Sequence, residues 1–349
     1  MALKNIFKIN GRKIGSDYPP FIIPEIGINH EGSFKSAIKL IREAAKSGAD
    51  AVKFQIFKPE TLASKISEKT NDQKKRTKKK ESLYKMWKRM EFTLAQWKKL
   101  KTLSKKLKLD FISSVFDEES YELSKKINLS AYKVASSDLT DVKLLTHLSF
   151  QKKPIIISTG MGSINEIKKA LNILKKNKVY LLHCVSLYPC PLKLINLNRM
   201  KSLSKKFNKD VGYSDHSLGI NASLISISMG AKILEIHFTL DKTQKGADHE
   251  LSVDPNDLKI ISNYSTNYYD SLGNGKIEPS INEKKMRKFF RKSIHAKKNI
   301  SVNEKLTETN LVCRRPQNSI KSELYFKILN KKTNKDILID QPIYEKNIK

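Results

Sequence analysis

KPIIISTGMGSINEIKKALNIL, Lys153–Leu174, holds one complete structural unit. Ile155, Ile156 and Ile157 form a short unbroken apolar run, the pattern of a parallel strand covered on both faces. Ser158 and Gly160 end it. Ser163 then stands as a cap before Ile164, Ile167, Leu171 and Leu174, which recur at helical spacing. Working outward, the same alternation appears on both sides. The apolar runs are Phe21–Ile26, Ala51–Gln55, Phe111–Ser114, Ala131–Val134, Pro154–Ser158, Val179–His183, Asp210–Ser214 and Ile233–His237. Between them, Ser33 precedes Phe34, Ile38, Ile41 and Ala45, with Gly48 closing the stretch, and Thr93 precedes Leu94, Trp97, Leu100 and Leu107. Eight strand–helix units predict an α/β protein whose residues 1–280 form a (β/α)8 TIM barrel.

The rest of the chain changes character. Gly273–Ser280 (GNGKIEPS) reads as a linker. Residues 281–349 carry β-like pieces around Ser293–Ala296, a helical turn opening at Thr307 and apolar residues at Ile337–Ile339, which predicts a second, small domain. Lys65–Lys85 is strongly basic without hydrophobic periodicity and predicts a long solvated loop.

Composition narrows the function classes. With 349 residues and 39% hydrophobic content, the chain can bury a sizeable core. No apolar run approaches the roughly 20 residues that span a bilayer. The opening MALKNIFKINGRKIG lacks an apolar signal core, so a cytoplasmic location is expected. Cys184, Cys190 and Cys313 are an odd set with no C-x-x-C pair, which fits reduced thiols rather than disulfides or a cysteine zinc site. The formal charge of +32 suggests nucleic acid at first sight. Arginine, the paired-hydrogen-bond reader of phosphate and guanine, is however scarce: nine residues against 58 lysines. The lysines are spread over nearly every helix and loop, so the expectation is a solvated basic surface and no nucleic-acid partner.

Polar side chains gather at the C-terminal ends of the apolar runs: Glu25, Lys53, Gln55, Ser113, Ser114, Lys133, Ser136, Ser158, His183, Ser186, Ser214, His216 and His237. Strand C-termini form the active face of this barrel. Lysine within an apolar strand is costly without an anionic partner, so Lys53 and Lys133 are poorly explained by packing. STGMGS, Ser158–Ser163, turns through Gly160 into a helix and can present backbone N–H groups to a phosphate. His216 and His237 follow neighbouring strands. Two imidazoles with open positions suit a borderline divalent ion such as Mn²⁺, although their residue type alone equally allows structural or proton-transfer roles.

Taken in order, PEIGINHEG (Pro24–Gly32), DAVKFQ (Asp50–Gln55), FISSVFD (Phe111–Asp117), YKVASSD (Tyr132–Asp138), STGMGS, LLHCVSLYPCP (Leu181–Pro191), GYSDHS (Gly212–Ser217), EIHFTLD (Glu235–Asp241) and GADHELSVDP (Gly246–Pro255) resemble the N-acetylneuraminate synthase family, which includes pseudaminic and legionaminic acid synthases. CRRPQNSI, Cys313–Ile320, resembles the family's antifreeze-like (SAF) domain, with Gln317 and Ser319 where that run has glycines. The resemblance implies condensation of phosphoenolpyruvate with an N-acylated amino sugar of the N-acetylmannosamine type. It assigns phosphoenolpyruvate to Lys53, Ser114, Lys133, Ser136, Ser158, Ser186 and Ser214, and the sugar to Gln55, Tyr188, Asp248 and Arg315. Arg315 is expected to act across a domain-swapped homodimer. A metal on His216 and His237, Mn²⁺ before Mg²⁺ or Co²⁺, would activate the aldehyde. Glu25, with Asp138 as rival, would position or deprotonate the attacking water. Asp138 stands where several members carry glutamate. His30, His183 and His249 are expected to be structural or to back the residues that touch the substrate. Two other chemistries share these residues: another phosphoenolpyruvate-dependent 3-deoxy-sugar acid synthase, and a Schiff-base aldolase with Lys133 as nucleophile.

Overall fold

The eight apolar runs are eight parallel strands of one closed barrel. The computed structural model describes residues 7–77 and 81–349. A hairpin (β1, Phe7–Ile9; β2, Arg12–Ile14) precedes β3 (Phe21–Gly27), β4 (Ala51–Ile56), β5 (Asp110–Val115), β6 (Ala131–Val134), β7 (Ile155–Ser158), β8 (Val179–Cys184), β9 (Val211–Asp215) and β10 (Ile233–His237). Each barrel strand pairs with the next, and β10 returns to β3 with His237 opposite Glu25.

Period-two alternation sorts every strand into two faces. Outward residues such as Ile22, Val52, Phe54, Phe111, Ile157, Leu181 and Leu234 pack under the helices in the main core. Phe54 lies against Phe111 at 5.4 Å and Trp97 at 5.6 Å between ring centroids. Truncating it to alanine would cost about 3–5 kcal/mol. Inward residues Phe21, Ile23, Ala51, Ile112, Ala131, Ile156, Tyr180, Leu182 and Ile233 form a second apolar layer, joined by Phe7, Ile9 and Ile14 of the hairpin. Apolar side chains thus fill one end of the barrel and leave the strand C-termini for polar groups. The hairpin was not among the sequence expectations, although Asn10-Gly11, both at positive φ, is a hairpin-turn signal.

The helices begin at the expected caps. The hydroxyls of Ser33, Thr93 and Ser163 accept from the backbone N–H groups of Ser36, Gln96 and Glu166, each cap contributing about 1 kcal/mol. The solvated-loop reading of Lys65–Lys85 is corrected. Asn71–Thr77 is helical, and a further helix runs from Leu83 to Met90 behind a Ser82 cap. Met86 and Met90, four residues apart, bury one stripe with Ile28, Phe57 and Ala247. Lys69 is buried and donates to Thr77 Oγ1 at 3.1 Å. The two short helices bury too few residues for periodicity to show among so many lysines. Residues 78–80 of that segment lie outside the described residues. Among those described, no helix is long and apolar enough to cross a membrane.

Packing divides the chain after Gly273; the sequence reading set its boundary after Ser280. In the second unit β11 (Ser293–Ala296) pairs antiparallel with β12 (Leu311–Arg314) around Ile294, Ala296, Ile300, Leu306, Leu311, Ile320, Ile328, Ile337 and Ile343. Thr307 O accepts from Asn310 N and Leu311 N, closing the expected turn. In the CRRPQNSI run, Ser319 Oγ donates to Ile294 O at 3.1 Å, and Arg315 lies over the Phe290 ring at 5.8 Å.

Candidate active site

The inward face of each strand continues past the apolar layer into polar residues. Two residues beyond Ile23, Ala51, Ile112, Ala131, Ile156, Leu182 and Ile233 stand Glu25, Lys53, Ser114, Lys133, Ser158, Cys184 and Glu235. Gln55 and His237 come one step later. All of these except Gln55 are buried.

Charge is balanced at the centre. Lys53 Nζ lies 2.7 Å from Glu25 Oε2 and donates to Ser114 Oγ at 3.1 Å. Glu235 stands between the two ammonium groups, 3.8 Å from Lys53 and 3.8 Å from Lys133, and Ser214 Oγ donates to it at 2.9 Å. Burial favours the neutral acid, but Lys133 and Lys53 outweigh it and hold the Glu235 carboxyl at about 2. Burial opposes the charge on Lys53 as well, and Glu235 and Glu25 overcome it to raise the pKa. Lys133 is lowered by burial, which Glu235 offsets only in part, and the like charge of Lys53 lowers it further. Gln55 Nε2 donates to Glu25 Oε1 at 3.0 Å, fixing the carboxylate from the mouth side.

A second group surrounds Gly160. Its N–H donates to Ser136 Oγ at 3.0 Å. A Cβ there would meet Ser186 Oγ at 2.4 Å, Ser136 Oγ at 2.7 Å and Cys184 Sγ at 3.2 Å. Only glycine lets those groups converge on the turn. Ser158 Oγ is buried nearby in sequence without a hydrogen-bond partner, which suits a site that receives an acceptor oxygen from a ligand.

The two imidazoles face one another. The His216 and His237 ring centroids are 5.3 Å apart, and the Tyr188 ring covers His216 at 4.1 Å. His216 Nδ1 lies 3.0 Å from the Val185 carbonyl, an acceptor only, so Nδ1 carries a proton. His237 is pushed toward its neutral form by burial, against the pull of Asp248. Its Nδ1 is buried without a hydrogen bond, 3.7 Å from Asp248 Oδ2. Cys184 Sγ approaches His216 Nδ1 at 3.7 Å. Burial opposes charge on both, yet each stabilises the other's ion, drawing the thiol down and the imidazole up.

Asp138 ends a turn, Ser136–Asp138, after β6 and accepts from Ser137 Oγ at 3.0 Å. Burial pushes its carboxyl up to about 6. Asp248 is anchored through its own loop: Ser252 Oγ donates to its carbonyl at 2.7 Å, and the adjacent His249 meets Thr239 Oγ1 at 2.7 Å. His183 contacts the Ile195 carbonyl, and His30 stacks on Phe92, consistent with structural use of both. The predicted residues Glu25, Lys53, Gln55, Ser114, Lys133, Ser136, Ser158, Ser186, Tyr188, Ser214, His216, His237 and Asp248 belong to the contacts and inward positions above, and Asp138 to the turn that carries Ser136. Arg315 belongs to the second unit. Glu235 and Cys184 were missed. The signal was present in Glu235, because Ile233, Glu235 and His237 alternate on one face of a strand.

The family model for the NeuB family matches residues 40–277, about two-thirds of the chain. The chain belongs to the NeuB family. A SAF domain matches residues 291–349. The chain is 40% identical to an N,N′-diacetyllegionaminic acid synthase of Campylobacter jejuni over 329 residues, covering 93% of this chain and 98% of that one. It is 35% identical to an N-acetylneuraminate-9-phosphate synthase of Drosophila melanogaster, covering 77% of this chain and 72% of that one. Among solved structures, an N-acetylneuraminic acid synthetase from Leptospira borgpetersenii superposes with a TM-score of 0.70 at 33% identity, covering 80% of this chain and 94% of that one. NeuB-family membership matches the sequence reading. It accounts for the barrel and the SAF-type second unit together.

Proposed function

We propose that the protein is a nonulosonic acid synthase that condenses phosphoenolpyruvate with an N-acylated amino sugar and releases phosphate. The observation that carries this reading is the buried Lys53–Glu235–Lys133 array beside the Gly160 cradle and the facing His216 and His237 rings. Two ammonium groups offer charge to a carboxylate and a phosphate, and the serines offer directed hydrogen bonds. The methylene carbon of phosphoenolpyruvate forms the new bond to the sugar's aldehyde carbon. Water adds at the former enol carbon, and C–O cleavage expels phosphate. Glu25, oriented by Lys53 and Gln55, takes the proton of that water; Asp138 is the rival for this role. Tyr188, Gln55 and Asp248 border the space for the sugar.

The donor set fits a divalent ion. His237 is held toward its neutral form by burial and has a buried nitrogen without a hydrogen bond, and the His216 ring faces it at 5.3 Å. Among the described residues no three carboxylate, thiol or imidazole groups converge on one point, which leaves positions for water and substrate. When bound there, Mn²⁺, or Mg²⁺ or Co²⁺ in its place, would supply Lewis-acid polarisation of the aldehyde oxygen.

The same reading takes the enzyme as a cytoplasmic homodimer in which Arg315 of one copy serves the sugar site of the other. Its three free thiols agree with a reducing compartment. The test is phosphate release from phosphoenolpyruvate over a panel of N-acyl hexosamines, with and without chelator. Acceptor-dependent, chelator-sensitive release is expected; phosphate release that ignores the acceptor would refute the condensation. Lys133, lowered by burial, is the one observation favouring the Schiff-base rival. Borohydride trapping with substrate decides it.

A further inference from the structure

The run PEIGINHEG supplies Glu25 to the mouth, but its second half, INHEG at residues 28–32, has no part in the chemistry above. Asn29 is the buried polar group of that half, with its side chain in a residue only 3% exposed. It follows the end of β3 at Gly27, in a turn closed by Asn29 N donating to Ile26 O at 2.8 Å. Both hydrogens of its amide are spent beside the site. Asn29 Nδ2 donates to Phe238 O at 2.9 Å and to Ser252 Oγ at 2.9 Å. Phe238 is the residue after His237. Ser252 Oγ in turn donates to Asp248 O at 2.7 Å.

The polarity of this chain of bonds is fixed. A carbonyl only accepts, and a hydroxyl whose one proton goes to Asp248 can only accept from Asn29. The reverse amide orientation would set oxygen against oxygen, so Asn29 Oδ1 is the atom left without a partner. Glu31, two residues on, meets the same loop. Its Oε1 lies 4.0 Å from His249 Nε2 and 2.5 Å from where a Cβ on Gly246 would sit, while Arg89 holds its other oxygen at 2.9 Å.

His237 Nδ1 and Asp248 Oδ2 are 3.7 Å apart, and Nδ1 makes no hydrogen bond. A spacing that no direct bond closes is set by the backbone on either side. On the strand side, Phe238 N donates to Glu25 O at 2.8 Å; at the far end of the loop, Val253 N donates to His237 O at 2.8 Å. Asn29 joins the strand end to the middle of the loop through a single amide. We propose that Asn29 is a positioning residue for the acceptor, which sets Asp248 against His237 by bonding the end of β10 and the loop of residues 246–252 at once. The role toward the sugar rests on the condensation reading above; the anchoring of the loop does not.

The experiment compares the full chain with Asn29→Ala in two measurements. The first is steady-state phosphate release in Mn²⁺ from phosphoenolpyruvate with N-acetylmannosamine. The KM for the sugar is expected to rise about tenfold, the scale of one lost buried hydrogen bond, while the KM for phosphoenolpyruvate changes by less than about twofold. In an Asp248→Asn background, Asn29→Ala should add less than about twofold, because its effect passes through Asp248. Both KM values moving together, or the full tenfold recurring in the Asp248→Asn background, overturns the assignment. The second measurement is hydrogen exchange by mass spectrometry without substrate. Residues 246–253 should exchange at least about tenfold faster in Asn29→Ala, with residues 158–163 on the other side of the mouth unchanged. Equal exchange in wild type and variant, or an equal rise in both segments, also overturns it. Thermal midpoints report whether the variant folds. If it does not, Ser252→Ala, which breaks the relay and leaves the bond to Phe238 O, carries both measurements in the same direction. If no sugar of the N-acyl hexosamine panel supports phosphate release, the condensation fails, and loop-confined exchange alone decides for or against the anchoring.

Discussion

Lys53 Nζ and Glu25 Oε2 are 2.7 Å apart, and the two side chains are only 4% and 2% exposed. With Glu235 3.8 Å away on the other side, Lys53 is the cation that permits two carboxylates inside the barrel. Replacing it with methionine leaves both acids buried with only Lys133 near Glu235. Removing one partner of a buried pair costs about 3–5 kcal/mol. Lys53→Met is therefore expected to lower the free energy of unfolding by that amount in denaturant titrations and to abolish turnover. A loss under about 1 kcal/mol would show that the pair is not desolvated as described.

His30 predicts acid sensitivity of a definite sign. It is 1% exposed, and its Nδ1 accepts from Gly32 N at 3.1 Å, which requires that nitrogen to be unprotonated. Burial, aided by Arg89, lowers its pKa to about 3 from 6.5. The unfolded chain therefore binds a proton that the folded one refuses. Stability is complete above about pH 6.5 and declines as pH falls toward 3, by about 1.4 kcal/mol per unit for this group. His30→Gln should make the pH dependence of unfolding shallower by about one proton between pH 6 and 4. An unchanged slope would remove His30 from the account.

The imidazole pair predicts the metal response. Chelation should stop phosphate release, and added Mn²⁺ should restore it in wild type. In His237→Ala, restoration at the same Mn²⁺ concentration should fall short by about a hundredfold or more, the equivalent of roughly 3 kcal/mol of charge stabilisation. Normal turnover of His237→Ala in Mn²⁺ would refute the metal role.

Glu25 and Asp138 can be separated kinetically. Glu25→Gln should lose about 10²–10⁴-fold in kcat. Asp138, raised to about 6, carries its charge only above that pH. The KM for the acceptor should therefore change below about pH 6 in wild type, and this dependence should vanish in Asp138→Asn while kcat falls less than in Glu25→Gln. The reverse pattern would make Asp138 the base.

The sequence by itself determined the barrel, because strand runs, caps and the polar ends of strands are local properties readable one segment at a time. It also determined which side chains reach the mouth, since alternation places Lys53 and Gln55, or Glu25 and Ile23, on one face without reference to any other strand. The helices of the basic segment escaped notice because what stabilises them, Met86 and Met90 against Ile28 and Phe57, is distant in the chain. Only the tertiary structure decided how the charges are shared. Glu235 reads as one more acid in a strand until β4, β6 and β10 are brought around the same axis. There, burial makes every unpaired charge expensive and forces Lys53, Lys133, Glu25 and Glu235 to neutralise one another.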